Sequence, residues 1–252
     1  MKKILFLLVC ISHFTSAQTS EELFATGNTF YKEGKIELAL ESYLKIEAQG
    51  NISSELFFNL GNCYYKLNKV AATIYNYERA LQLDPLNQDA ANNLVFAKRL
   101  TIDRIEELPK SVFEKLNKEY LQKISYNQWA IISCVLSLLT AIFFLSFYFS
   151  YSSSKKRFFF TSSILCIILF FISLSITYHQ YNYSKEAVFA IIFAEKTTVK
   201  NEPTSNSEEI FTLHEGTKVK VLDTVDDWKK IKLVDGKIGW LLATEIKLFP
   251  QF

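Results

Sequence analysis

The side chains able to run polar chemistry are few in this chain and lie far apart. Its three histidines, His13, His179 and His214, stand at no spacing that would close round a metal ion with Cys, Asp or Glu. The carboxylate pairs Glu21-Glu22, Glu106-Glu107 and Asp226-Asp227 are sequence neighbours inside charged, polar stretches, which reads as solvated surface rather than acid–base machinery. Seven glycines are spread over 252 residues, with no cluster whose amides would cradle a phosphate. Of the four cysteines, Cys10 falls in an N-terminal apolar run and Cys134 and Cys166 fall in long apolar stretches. Cys63 is left alone, without a disulfide framework, and beside Tyr64 it reads as a small buried hydrophobe. The expectation is a protein that is not an enzyme, with no cofactor, no metal and no small-molecule substrate. Recognition remains.

Aromatic rings beside amides are the groups best suited to it. Phe24, Asn28 and Tyr31, with Glu21, recur 34 residues on as Phe58, Asn62 and Tyr65, with Glu55. On one helical face such a set grips an extended or helical peptide, or else packs within its own domain; both readings stand. The framework that must position these residues has the same period. Leu23, Gly27, Phe30, Ala39 and Tyr43 are answered by Phe57, Gly61, Tyr64, Thr73 and Tyr77. Gly27 and Gly61 would let paired helices approach, and Ala39 and Thr73 would sit at the crossing, where a long side chain would part them.

This pattern, closed by Pro85, resembles the tetratricopeptide repeat. The resemblance implies two helix–turn–helix units, at 20–53 and 54–87, whose inner helices line a concave groove. Ala91, Leu94, Ala97 and Leu100 continue the helical phase and predict a capping helix over 87 to about 105, so that residues 18–105 form an all-α solenoid. Asn28 and Asn59 match the asparagines with which some repeat proteins clamp a carboxylate. Phe24, Asp89 and Asn93 stand where the clamp's cations belong, so no clamp is expected.

Hydropathy divides the rest. Residues 1–17 carry Lys2 and Lys3, an apolar run and the small residues Thr15-Ser16-Ala17, and read as a cleaved secretion signal. Residues 129–149 and 158–178 are each 21 long and free of formal charge, the length of a membrane-spanning helix. Trp129, Tyr148, Tyr151, Tyr178, Tyr181 and Tyr183 flank them, as an interfacial aromatic belt would. The loop expected at 150–157 carries Lys155, Lys156 and Arg157 as its only charges, which places it in the cytoplasm and both flanking parts outside. Those parts carry 13 basic and 15 acidic residues over 18–128, and 10 and 11 over 179–252. Neither has the basic excess that nucleic acid demands. Between solenoid and first span, after Pro109, Val112, Phe113, Leu116, Tyr120, Leu121 and Ile124 share a helical face and predict an amphipathic linker helix within 106–128.

Beyond the second span the period becomes alternating. Strand-like runs at 187–193, 218–223, 228–233 and 237–242 are punctuated by His214-Glu215-Gly216 and Asp235-Gly236. Their order resembles the bacterial SH3 domain over 187–249, a small all-β barrel. Trp228 and Trp240 are expected to fill its core and Gly239 to permit a strand kink. In the loop at 200–209, Asn201-Glu202-Pro203-Thr204 replaces the family's common Arg-x-Gly-Pro.

The whole reads as a multidomain membrane protein: solenoid, transmembrane helical hairpin and SH3-like barrel. That order resembles the E component of Bacteroides aerotolerance operons, as does the stretch from Asn87 to Pro109. The resemblance implies an inner-membrane, periplasm-facing scaffold beside membrane proteins with von Willebrand factor A domains and a MoxR-type ATPase. Its role would be oxidative-stress tolerance or envelope integrity. A cell-envelope receptor that binds peptidoglycan through the barrel and recruits wall enzymes is the alternative. A stress transducer is disfavoured, because 150–157 is too short to house a cytoplasmic signalling domain.

Overall fold

A computed structural model describes residues 19–106, 108–109, 120–186 and 188–250. The expected secretion signal and most of the expected amphipathic helix lie outside the described residues. The N-terminal part is all-α: α1 (Ser20–Lys32), α2 (Ile36–Ala48), α3 (Ser54–Lys66), α4 (Val70–Leu83) and α5 (Gln88–Lys98). The inner helices start at side-chain caps. Thr19 and Glu22 form a reciprocal capping box at α1, Ser53 accepts from Leu56 N at α3, and Asn87 accepts from Ala90 N at α5. The turns within the repeats place Gly34 (φ 76°) and, one period later, Asn68 (φ 55°) in the left-handed region, which these two residue types tolerate best.

The helix contacts follow the sequence logic closely. A Cβ on Gly27 would lie 2.7 Å from the Tyr43 ring, and one on Gly61 would lie 2.5 Å from the Tyr77 ring. Ala39 and Thr73 are buried at the crossings. The cap differs from expectation: α5 ends at Lys98, short of residue 105. Thr101 Oγ1 donates to Lys98 O, and Asp103 is then drawn to the C-terminal domain, so the chain departs before another turn can form.

Two long helices follow, α6 (Tyr126–Phe149) and α7 (Ser153–Glu186), packed as a hairpin. Both are long and apolar enough to cross a membrane: the most apolar 18-residue stretch has a mean hydropathy of 2.5 within Tyr126–Phe149 and 2.4 within Ser153–Asn182. Ser133 and Ser173 join them through a buried hydroxyl pair at 2.8 Å in which one donates to the other, and each Oγ also lies 3.0 Å from a carbonyl of its own helix, Trp129 O and Phe170 O. The connection is shorter than the charge pattern suggested. Lys155, Lys156 and Arg157 belong to the first turns of α7, not to a loop at 150–157. At the other end Trp129 Nε1 and Gln180 Nε2 both donate to Leu121 O, tying the two helices to the short 3₁₀ turn before α6.

β1 (Val188–Ile192) begins directly after α7 and opens an antiparallel barrel with β2 (Lys196–Lys200), β3 (Glu209–His214), β4 (Lys218–Val225), β5 (Trp228–Lys232), β6 (Ile238–Leu242) and β7 (Ile246–Leu248). The strand order is β3-β2-β6-β5-β4-β1-β7. Its core is aliphatic: Ile192, Val199, Leu213, Val219, Ile231 and Leu241 are among its buried members. The two tryptophans divide. Trp240 is buried, as the sequence led one to expect, though outside this aliphatic cluster and under the Lys230 ammonium, while Trp228 is only half-buried. At Gly239 a Cβ would run into Val199 Cγ1, so glycine lets β2 close over β6.

The solenoid and the barrel are packed together. A third buried cluster spans their boundary, with Ala71, Ile74, Tyr75, Leu94 and Ala97 from the helices and Ile191 and Phe249 from the barrel. Tyr75 stacks on Phe249 at 5.1 Å and donates to Leu248 O at 3.0 Å. Beside it, Glu78 holds Lys218 at 2.5 Å and Lys98 at 2.9 Å. Asp103 accepts from His214 N at 2.7 Å and from Thr217 Oγ1 at 2.6 Å, and its other oxygen lies 2.8 Å from His214 Nδ1. Gly216 (φ 85°) noses into the solenoid, where a Cβ would meet Thr101 Cγ2 at 2.9 Å and Ile74 Cδ1 at 3.0 Å.

Candidate functional site

Because the barrel covers α4 and α5, the inner helices α1 and α3 keep a face that no other described domain covers. Between them lies an open cleft of about 480 Å³. Its walls are apolar where Phe24, Ala25, Ile46, Ile52 and Leu56 line it. Glu21 and Glu55 are its only charged members among the described residues, and both are exposed. They are equivalent positions of the two repeats. A negative rim above an apolar floor suits a segment that buries an apolar side chain and carries basic ones beside it.

The structure divides the expected groove residues. Phe24 and Asn28 line the cleft. Tyr31 is half-buried against the solenoid core, and burial raises its hydroxyl pKa. Phe58 is tilted on Tyr77 at 6.1 Å and packs against two of the buried clusters. Tyr65 remains exposed to 39% at the far end of α3, so it is the one groove ring with substantial free surface outside the cleft.

The two amides have a structural task. Tyr43 Oη donates to Asn28 Oδ1 at 2.7 Å, and Asn59 Nδ2 reaches the same oxygen at 3.3 Å. One period on, Tyr77 Oη donates to Asn62 Oδ1 at 2.7 Å, and Asn93 Nδ2 reaches it at 3.0 Å. This ladder links each outer-helix tyrosine to two successive inner helices. It fixes the curvature of the groove and commits the amide oxygens to the fold. Burial raises the pKa of both tyrosines, so these hydroxyls stay protonated donors. Cys63 lies buried between the helices, its thiol pushed up to about 12 by burial, which removes it from thiolate chemistry.

Ile46, Asn51, Ile52 and Ser53 were not singled out from the sequence, although all line the cleft. The available signal was Ile52, an apolar residue just before the Ser53 cap. Such a residue ordinarily staples the helix start, yet it is 44% exposed. The inter-repeat loop is held in place by Asn51 Nδ2 donating to Ser20 Oγ at 2.6 Å, and Ser20 Oγ donating to Gln49 Oε1 at 2.7 Å.

On the barrel, the loop between β2 and β3 spends its polar groups on itself. Lys200 Nζ donates to Ser205 O, Glu202 N to Ser207 Oγ at 2.9 Å, and Asn201 N to Glu208 O at 3.0 Å. Among the described residues no group of three His, Cys, Asp or Glu side chains is placed to hold a metal.

Comparison with known proteins agrees with this architecture. Residues 54–87 match the tetratricopeptide repeat family, and residues 195–247 match the bacterial SH3 domain family. No curated protein matches the chain. Both families point to protein-interaction modules, here flanking two long apolar helices.

Proposed function

We propose that this chain is a non-enzymatic membrane scaffold whose solenoid cleft holds a segment of a partner protein. The observation that carries this is the free, acid-rimmed apolar cleft between α1 and α3, on a solenoid whose α4 and α5 are covered by the chain's own barrel. The partner segment has an apolar side chain for the floor formed by Phe24, Ile52 and Leu56, and Lys or Arg for Glu21 and Glu55. Binding without turnover is the mechanism. Because solenoid and barrel precede and follow the hairpin yet pack on each other, both lie on one side of any membrane the hairpin crosses. With Lys155, Lys156 and Arg157 at the turn of the hairpin, that side is the outer one, the periplasm of a two-span inner-membrane protein.

The barrel acts in this reading as a brace. Its β1, β4 and β7 side is committed to the solenoid, and its β2–β3 loop is closed on itself, so peptidoglycan recognition through that loop is the weaker alternative. By the resemblance noted above, the partners are membrane proteins with von Willebrand factor A domains, with a MoxR-type ATPase behind them. The service is aerotolerance or envelope stress.

In-cell crosslinking of the tagged full-length chain, detergent extraction and mass spectrometry test this, run in parallel on a Glu21→Lys/Glu55→Lys variant. Co-capture of von Willebrand factor A-domain proteins that falls several-fold in the variant is the expected result. Wall hydrolases or muropeptides captured equally by both chains would overturn it.

A further inference from the structure

Leu86 is a leucine without a core. It is 59% exposed at the turn between α4 and α5, yet the turn is fixed: Leu86 N donates to Asp84 Oδ1 at 3.0 Å, and the next residue, Asn87, caps α5. It faces a gap of about 380 Å³ whose other described lining residues are Lys123, Ile124, Gln128, Ile131 and Ile132. Ile131 and Ile132 are themselves 63% and 36% exposed, on the first turns of α6. They stand just past Gln128 and Trp129, where polar residues give way to an uncharged, mostly apolar helix. If α6 spans a bilayer, this is the depth at which headgroups meet hydrocarbon, because a helix of 24 residues is only slightly longer than a hydrocarbon core of about 30 Å.

We propose that the Pro85-Leu86 turn is a membrane-contact site, in which an acyl chain of a phospholipid in the adjoining leaflet fills the gap and its phosphate meets Lys123. This rests on the reading of α6 and α7 as membrane spans. Three features select a lipid over a protein segment. The gap is continuous with the lipid-facing side of α6; among the described residues its charged rim is one exposed ammonium, Lys123; and the nearby Asp84 carboxylate accepts from the backbone of its own turn. The consequence is orientation. The solenoid would touch the bilayer at the end of its second repeat, which fixes the tilt at which the cleft between α1 and α3 is offered to a partner.

The test places the photoreactive residue p-benzoylphenylalanine at position 86 of the full-length chain in phospholipid nanodiscs, with position 138 as reference, since Leu138 is 65% exposed at mid-helix. Mass spectrometry of the irradiated chain reads the adduct. A phospholipid adduct at both positions, reduced several-fold at 86 but unchanged at 138 by Lys123→Glu, is the expected result. An adduct at 138 with none at 86, or a crosslink from 86 into the chain itself, overturns the proposal while leaving the spans in place. No adduct at either position overturns the membrane reading along with it. An adduct at 86 that ignores Lys123→Glu removes the phosphate contact and so contradicts the proposal as stated.

Discussion

At the scale of the residue, the repeat is built on a unit of three residues. A glycine on the inner helix accepts a tyrosine ring from the outer one, and the tyrosine hydroxyl then reaches an asparagine, as in Gly27-Tyr43-Asn28 and Gly61-Tyr77-Asn62. Gly61→Ala should therefore destabilise the chain by about 1–3 kcal/mol, the usual cost of forcing a methyl group into a packed core. Tyr77→Phe keeps the ring but removes the donor, and should cost about 1 kcal/mol. Denaturant unfolding of the detergent-solubilised chain checks both, and the glycine variant should be the worse. The glycines and tyrosines were legible in the sequence because backbone approach and ring packing recur with the period. The role of Asn28 and Asn62 was less so: an amide on a helix face has the same sequence signature whether it awaits a ligand or serves its own fold. Ile52 was hidden for a different reason. It lies outside the helical phase, and its exposure depends on how two repeats stack.

At the scale of the element, the helices and strands were legible because apolar spacing and turn residues determine them locally. The docking of solenoid on barrel was not, because its contacts join residues as distant as Glu78 and Lys218, 140 positions apart. Burial pushes the Glu78 carboxyl upward, but Lys218 and Lys98 outweigh it and hold its pKa at about 2, below the ordinary 4.5. Asp103 is also lowered: burial opposes ionisation, while donors from Thr217 and His214 more than offset it. A carboxyl held low in the docked state stabilises docking fully above its ordinary pKa and loses that contribution as pH falls toward the docked value. Lys98 stays beside Glu78 on the solenoid itself, so the Lys218 share of the shift is the part linked to docking, and docking should weaken as pH falls below about 4.5 toward about 2. Spin-label distances between α2 and β5 would report this, and Glu78→Gln should give looser docking at neutral pH with a flatter acid response. Gly216→Ala should act without any change of charge. It places a methyl group against Thr101 and Ile74 at a positive φ, and should cost about 1–2 kcal/mol for the backbone alone, with a broadened distance distribution at neutral pH.

At the scale of the whole molecule, the parts on either side of the hairpin in sequence are one packed body in space, with its covered side at α4 and α5 and its open side at α1 and α3. The long helix α7 ends at Glu186 and β1 starts at Val188. The domain order and the two apolar segments could be read from the sequence, since composition changes sharply between them. The groove face was partly legible too, since Glu21, Phe24, Asn28 and Glu55 line the cleft, but that the barrel covers α4 and α5 rather than this face was not. The central claim is that this cleft holds a partner segment of apolar and basic character. The most direct measurement is in-cell photo-crosslinking from a photoreactive residue at position 52, with the crosslinked partner peptide sequenced by mass spectrometry. The account predicts a single dominant peptide with an apolar residue flanked by Lys or Arg, lost in the Glu21→Lys/Glu55→Lys background. Scattered peptides without that pattern, or a dominant peptide indifferent to both substitutions, would contradict it.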